Sequence, residues 1–192
     1  MKYKEDYTLI TRTDEKGHSK QSVQYNGPLF DLEMSPADLL GLKRLAALLF
    51  AGAAASHLGA GFLPHRASYQ WYVSLPYAAA YLPIFFLGMA LLRLPRQTRA
   101  LERCQTDSSF NKGRSASLAA IVLLAVGLPG FLLHCFFISG PAFGLLEGIY
   151  LILETLSLLM LLGLFSKLNR VRIVKRVDHH LHEMLTEQTE GF

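Results

Sequence analysis

Cysteine is scarce in this chain, which has only two such residues, Cys104 and Cys135. Cys104 falls in a charged stretch and Cys135 near the end of a long apolar run, so we expect them about a bilayer thickness apart, too far for a disulfide. The sequence also has no CxxC pair, which disfavours an intramembrane thiol oxidoreductase. It contains no catalytic or cofactor-binding motif, and we predict no cofactor.

Lys, Arg and Asp are missing from four long segments, at about 45–63, 71–92, 117–138 and 142–165. Each segment is long enough to cross the roughly 30 Å hydrocarbon core of a bilayer as a helix. The helices of a soluble bundle would instead show polar residues at every third or fourth position. The predicted fold class is therefore an all-α membrane protein, a four-transmembrane-helix bundle.

A cleavable signal peptide is not evident, because a polar arm of nearly forty residues precedes the first apolar segment; that segment is expected to act as an uncleaved anchor. We predict an arm at 1–34, a membrane domain at 35–166 with a charged loop at 93–114, and a tail at 167–192. Ser35, Pro36 and Asp38 suit the N-cap, first and third positions of a helix. The first helix should therefore begin below the membrane.

The basic residues predict the orientation of the spans. Only Arg66 lies between the first and second spans. Thirteen of the nineteen Lys and Arg residues flank the spans at the opposite end: Lys43, Arg44, Arg93, Arg96, Arg99, Arg103, Lys112, Arg114, Lys167, Arg170, Arg172, Lys175 and Arg176. We therefore expect a multi-pass protein of the cell membrane, of the bacterial inner-membrane type, with both termini cytoplasmic. The same bias explains the net charge of +4 without a nucleic-acid partner.

The arm contains two β-leaning stretches, 7–13 and 21–25, joined by a turn-like Asp-Glu-Lys-Gly. A short β-hairpin is predicted, folded onto the rest of the protein or serving as a docking strand for a partner.

The tail has helical spacing of apolar residues at Val174, Val177, Leu181 and Met184. It predicts an amphipathic helix that lies on anionic lipid or contacts a partner. The histidines at 179, 180 and 182 are interpreted as solvated, since no second ligand group is evident nearby.

Polar residues inside the spans are the candidate site. Counting inward from the outer span ends puts His57, Tyr77, His134 and Glu147 at one depth, with Glu154 two turns deeper than Glu147. Such groups avoid hydrocarbon by facing the bundle interior. Glu154 could form interhelical hydrogen bonds or couple to protons or cations. A metal site formed by His57, His134 and Glu147 is a further alternative, although the sequence predicts no metal outright.

Small residues predict where helices approach closely. They form a four-residue ridge in span one and a GxxxG pair in span four: Ala47, Ala51, Ala55 and Gly59, and Gly144 and Gly148. The GxxxG pair supports dimerisation through span four.

These features favour a non-enzymatic accessory, regulatory or assembly subunit of a membrane complex. The expected partners are the lipid bilayer and a second copy or another membrane protein, contacted through span four, the arm or the tail. A small oligomeric proton- or cation-coupled transporter using Glu154 is the alternative, and an intramembrane metal-dependent enzyme the third hypothesis.

Overall fold

The computed structural model describes residues 3–13, 19–64, 66–138 and 144–176. These parts of the chain contain four helices long and apolar enough to cross a membrane, which confirms the four predicted helices and supports a multi-pass membrane protein. They are α1 (Pro36–Gly61), α2 (Trp71–Leu92), α3 (Arg103–Phe137) and α4 (Leu145–Asn169).

Helix α1 begins where its capping signals predict. The Ser35 hydroxyl accepts from the Asp38 backbone N–H at 3.1 Å, and the Asp38 carboxylate accepts from the Ser35 N–H at 3.4 Å. This reciprocal pair satisfies two backbone donors that the first helical turn cannot pair internally. Helix α3 is longer than predicted, because the second half of the charged loop, from Arg103 onward, is already helical.

The helices pack in an order that differs from their order in the chain. Helix α1 packs along α4, α2 along α3, and α3 against α4, whereas α1 and α2 touch only briefly. Large apolar side chains such as Leu82, Phe85 and Phe86 remain on the outside of the bundle. An apolar exterior suits helices surrounded by lipid.

The predicted hairpin strands are present in the arm. Strand β1 (Tyr7–Thr13) pairs antiparallel with β2 (Ser19–Tyr25), with Tyr7 opposite Tyr25. The turn at 14–18 lies outside the described residues. Leu9 faces Val23 across the pair, on the same side as the two tyrosines because strand side chains alternate.

A second sheet, not predicted, joins three distant segments. Strands β3 (Leu29–Leu32), β4 (Leu101–Glu102) and β5 (Ile173–Lys175) lie in the antiparallel order β4-β3-β5. They come from the arm, the loop between α2 and α3, and the tail. The arm, the basic loop and the basic start of the tail therefore meet at one end of the bundle, which we call the platform end.

The predicted amphipathic tail helix is wrong for residues 173–175. They form β5 because the edge of β3 supplies backbone partners, pairing Leu32 with Ile173 and Asp31 with Val174. The remaining predicted helix positions, together with His179, His180 and His182, lie outside the described residues.

Helix α1 packs through a different face from the predicted ridge. Ala47, Ala51 and Ala55 are exposed and Gly59 is half-buried. The buried face instead repeats every seven residues, at Ala46, Ala53 and Ala60. Residues four apart are rotated by about 40° from one another around an α-helix, so a long series of them winds away from the neighbouring helix. Residues seven apart are rotated by only about 20° and stay closer to one side of the helix. Near α4's start, Gly144 is exposed and Gly148 half-buried.

Candidate functional site

The most buried polar pair joins α1 to α4. Nδ1 of His57 lies 2.9 Å from Oε1 and 3.2 Å from Oε2 of Glu154. The two residues are 0% and 2% exposed. The contact gives each of these buried polar groups a hydrogen-bond partner in the bundle interior.

Tyrosines from α2 enclose the imidazole. The Tyr77 hydroxyl donates to the backbone oxygen of His57 at 2.7 Å and lies 2.5 Å from the Tyr81 hydroxyl. The rings of Tyr77 and Tyr81 lie 4.4 and 4.6 Å from the imidazole centroid. Gly61 permits this approach, because a Cβ there would collide with the Tyr77 hydroxyl. The pair is therefore shielded on the α2 side by aromatic rings.

A small cavity of about 10 Å³ borders Glu154. Tyr77, Gly127, Tyr150 and Glu154 line it, together with leucines of α3. That volume is about the minimum that holds one water molecule. The Nε2 atom of His57 is buried and has no hydrogen-bond partner among the described residues. The site thus has one unsatisfied nitrogen and one water-sized space.

A second polar contact ties α1 and α4 together one turn away. The Ser157 hydroxyl donates to the Ala53 backbone oxygen at 3.0 Å, and Ser157 is fully buried. Ser157 lies three residues after Glu154 on α4, and Ala53 lies four residues before His57 on α1. The two contacts therefore act along one interhelical line.

The structure brings together His57, Tyr77 and Glu154 from the predicted polar layer. His134 instead has its Nδ1 2.7 Å from the Tyr72 hydroxyl, and the Glu147 carboxylate accepts from the Gly144 N–H at 3.1 Å.

His57 pairs with the deeper acid because helix ends do not lie in one plane. It is four residues from the end of α1, whereas Glu154 is nine residues past the start of α4. The predicted depths were counted from the outer end of each span, which assumed that all four outer ends lie in one plane.

No group of three His, Cys, Asp or Glu side chains suited to a metal ion occurs within residues 3–13, 19–64, 66–138 and 144–176. His57, His134 and Glu147 accordingly do not form such a group.

Sequence reasoning missed Tyr72, Tyr81 and Tyr150. Tyr81 follows Tyr77 by four residues, one helical turn, so this spacing could have placed both on one face of α2. Tyr150 is four residues before Glu154 and could have been found in the same way.

The platform end carries a second candidate site, at the attachment of the hairpin. The Tyr7 hydroxyl donates to Glu102 Oε2 at 2.8 Å, and the Tyr3 hydroxyl donates to Asp107. These hydrogen bonds are the main reason that the pKa of each tyrosine is raised to about 12. The Arg103 backbone N–H donates to the Tyr25 hydroxyl at 3.1 Å. Tyrosine hydroxyls thus fasten the arm, at the base of the hairpin, to Glu102 and to the first turns of α3.

Beyond these tethers the hairpin presents an apolar patch. Leu9 and Val23 are opposite each other and are 69% and 65% exposed. Neither strand has a further strand on its outer edge among the described residues. A ribbon with exposed apolar side chains and open backbone edges can accept a partner by packing or by strand addition.

No protein-family model matches the chain, and no curated protein and no solved structure is similar enough to it to count as a match.

Proposed function

We propose that this membrane protein is a non-enzymatic accessory or assembly subunit, whose hairpin binds a partner protein at the platform end. The platform end faces the cytoplasm in this proposal, because the basic α2–α3 loop and the basic start of the tail lie there. The single observation that supports the function most is the exposed Leu9–Val23 patch on a ribbon that side chains fasten to the platform.

The membrane domain acts as the scaffold for this docking surface. The His57–Glu154 hydrogen bond and the Ser157–Ala53 hydrogen bond link α1 to α4 in the interior. Strand β3 leads directly into α1, and β5 follows α4. Holding α1 and α4 together therefore also holds β3 beside β5, and the platform keeps a fixed position on the bundle.

Photocrosslinking in cells that naturally produce the protein tests the proposal. A photoreactive amino acid is placed at Val23, on the apolar face, or at Gln24, which is exposed on the opposite face of the same strand. We expect one discrete protein adduct from position 23 and none from position 24.

Two matched variants make the test specific. Leu9→Asp should abolish the adduct from position 23, whereas Gln24→Asp introduces the same charge on the other face and should leave the adduct unchanged. Thermal melting of both variants in detergent should match the parent, because neither position contributes to the buried core. Equal adducts from both faces, or adducts with lipid alone, would contradict the proposal.

Proton coupling through Glu154 is a second candidate function, and one observation favours it. The carboxyl group is buried against an imidazole and borders a water-sized cavity. An intramembrane acid and histidine in contact can hold and pass a proton. In this proposal, Glu154 binds the coupling proton and His57 relays it.

Flux measurements distinguish the second candidate from the first. Purified protein in liposomes containing a pH-sensitive dye should dissipate an imposed pH gradient, and Glu154→Gln should abolish that flux. Ser157→Ala is the matched control, because it removes a hydrogen bond from the same helix pair and leaves the carboxyl in place. Parent protein that passes protons no faster than empty liposomes would exclude an uncoupled proton path.

A further inference from the structure

A groove of about 1,040 Å³ lies between α2 and α3. It lies on the outside of the bundle, away from the His57–Glu154 pair. Its volume is at the upper end of the roughly 300–1,000 Å³ that small-molecule sites occupy. The groove therefore suits a large ligand.

One half of the groove is apolar. Helix α2 contributes Leu82, Phe85, Phe86 and Met89, and α3 contributes Ala119 and Leu123. Phe85 and Phe86 are 63% and 55% exposed. This half lies within the membrane-spanning lengths of both helices. An acyl chain is the apolar group that a bilayer supplies at such a place.

The other half of the groove is polar and lies toward the platform end. Arg93 follows the last residue of α2, and Lys112 lies in the part of α3 that belongs to the charged loop. Both line the groove and both are exposed, and neither side chain makes a hydrogen bond or ion pair with another described residue; their backbone N–H groups pair within the helix ends. Two basic groups thus lie at the polar end of the groove, next to its apolar half.

The one acid in the groove is already engaged. Asp107 accepts hydrogen bonds from the Tyr3 hydroxyl and, at 2.6 Å, from the Asn111 side-chain amide. The groove is therefore left with two free cationic donors and a net positive charge. A ligand that matches it carries a negative charge at one end and an apolar chain at the other.

We propose that this groove binds an anionic phospholipid of the surrounding bilayer. The phosphate headgroup contacts Arg93 and Lys112, and an acyl chain lies along Phe85, Phe86 and Leu123. Basic pockets between helices at the inner membrane surface recognise lipid headgroups in this way. The long side chains of Arg and Lys reach the interface while their stems stay on apolar surface.

Binding of defined lipids to the purified full chain tests the proposal. Native mass spectrometry measures how much phosphatidylglycerol or phosphatidylcholine stays bound after each is titrated into the detergent-solubilised protein. We expect a clear preference for phosphatidylglycerol. Arg93→Gln with Lys112→Gln should weaken phosphatidylglycerol binding by about fivefold for each charge removed.

Three further variants separate the groove from general charge attraction. Arg96→Gln with Arg99→Gln removes the same charge from the platform end outside the groove and should leave the preference intact. Arg93→Lys with Lys112→Arg keeps both charges and should retain most of the binding. Ala119→Trp fills the apolar half and should reduce binding with every charge in place, while melting temperatures confirm that each variant is folded.

Two outcomes would overturn the assignment. Equal weakening by the two double Gln variants would mean diffuse electrostatic attraction to the platform end. The second outcome combines two results: the protein shows no preference for phosphatidylglycerol, and it forms a dimer that Ala119→Trp dissociates. These results would place a second copy of the chain in the groove.

Discussion

His57 and Glu154 are 97 positions apart in the sequence, yet Nδ1 of the imidazole lies 2.9 Å from the carboxyl oxygen Oε1. Breaking such a buried pair from one side leaves a polar group with no partner in an apolar interior. Replacing both partners removes the polar groups together, so the cost of the two changes is not additive.

Glu154→Leu should lower the free energy of unfolding by about 0.5–2 kcal/mol, the usual range for polar contacts between membrane helices. Glu154→Gln should cost little, because the amide keeps the shape and hydrogen-bonding capacity of a protonated carboxyl. The double variant His57→Leu with Glu154→Leu should cost less than the sum of its single changes. Melting in detergent of the parent, the three single variants (Glu154→Leu, Glu154→Gln and His57→Leu) and the double variant measures these costs. Equal stability of Glu154→Leu and the parent would show that the pair does not hold α1 to α4.

Arg114 should be sensitive to conservative replacement. Its guanidinium donates to the Leu168 backbone oxygen at 3.0 and 2.8 Å and to the Val171 backbone oxygen at 2.6 Å, at the end of α4. Arg114→Met should destabilise the protein by about 1–3 kcal/mol, since it removes charge-assisted hydrogen bonds. Arg114→Lys should recover only part of that loss, because a compact ammonium cannot reproduce the planar fork. A lysine variant that melts with the parent would contradict this role.

Attachment of the hairpin should be lost at high pH. Because its hydrogen bond to Glu102 raises the pKa of Tyr7 from its ordinary value near 10 to about 12, the contact stabilises the folded arm fully below pH 10. This stabilisation is lost as the pH rises from about 10 to about 12. In a pH titration followed by tyrosinate absorbance, one component should titrate at higher pH than an ordinary tyrosine, and Tyr7→Phe should remove that component. Glu102→Gln should shift that component toward pH 10, and an unchanged titration would contradict the assignment.

Both termini should be cytoplasmic. In a variant without Cys104 and Cys135, a cysteine at Tyr69, which is 86% exposed between α1 and α2, should react with an impermeant thiol reagent added to intact cells. A cysteine at Gln97, exposed at the platform end, should react only after the cells are opened. The reverse pattern would invert the topology.

Sequence reasoning succeeds here where one physical pattern extends over many residues. Runs of about twenty apolar residues identify the spans, because only a helix satisfies its own backbone across a bilayer. The Ser35–Asp38 cap and the hairpin strands carry local signals of the same reliable kind. The platform sheet was not predicted, because its strands have four, two and three residues, too few for a period to be measured.

The partners within the site depend on tertiary geometry that sequence spacing does not contain. His57 and Glu154 were both candidates, but their contact follows from how far α1 and α4 extend at their outer ends. The face of α1 that packs was also mispredicted. Small residues occur all around that helix, so composition could not distinguish the predicted ridge, which begins at Ala47, from the face that is buried, which includes Ala46.

The platform sheet also constrains the order in which this protein can mature. The central strand, Leu29–Leu32, is synthesised first, but one neighbour comes from residues 101–102 and the other from residues 173–175. The sheet therefore cannot close until the ribosome has synthesised residues 173–175, which follow the fourth helix. Until then, the edge of β3 that later holds β5 is open to chaperones and proteases. A finished sheet thus marks a chain whose synthesis has passed all four helices.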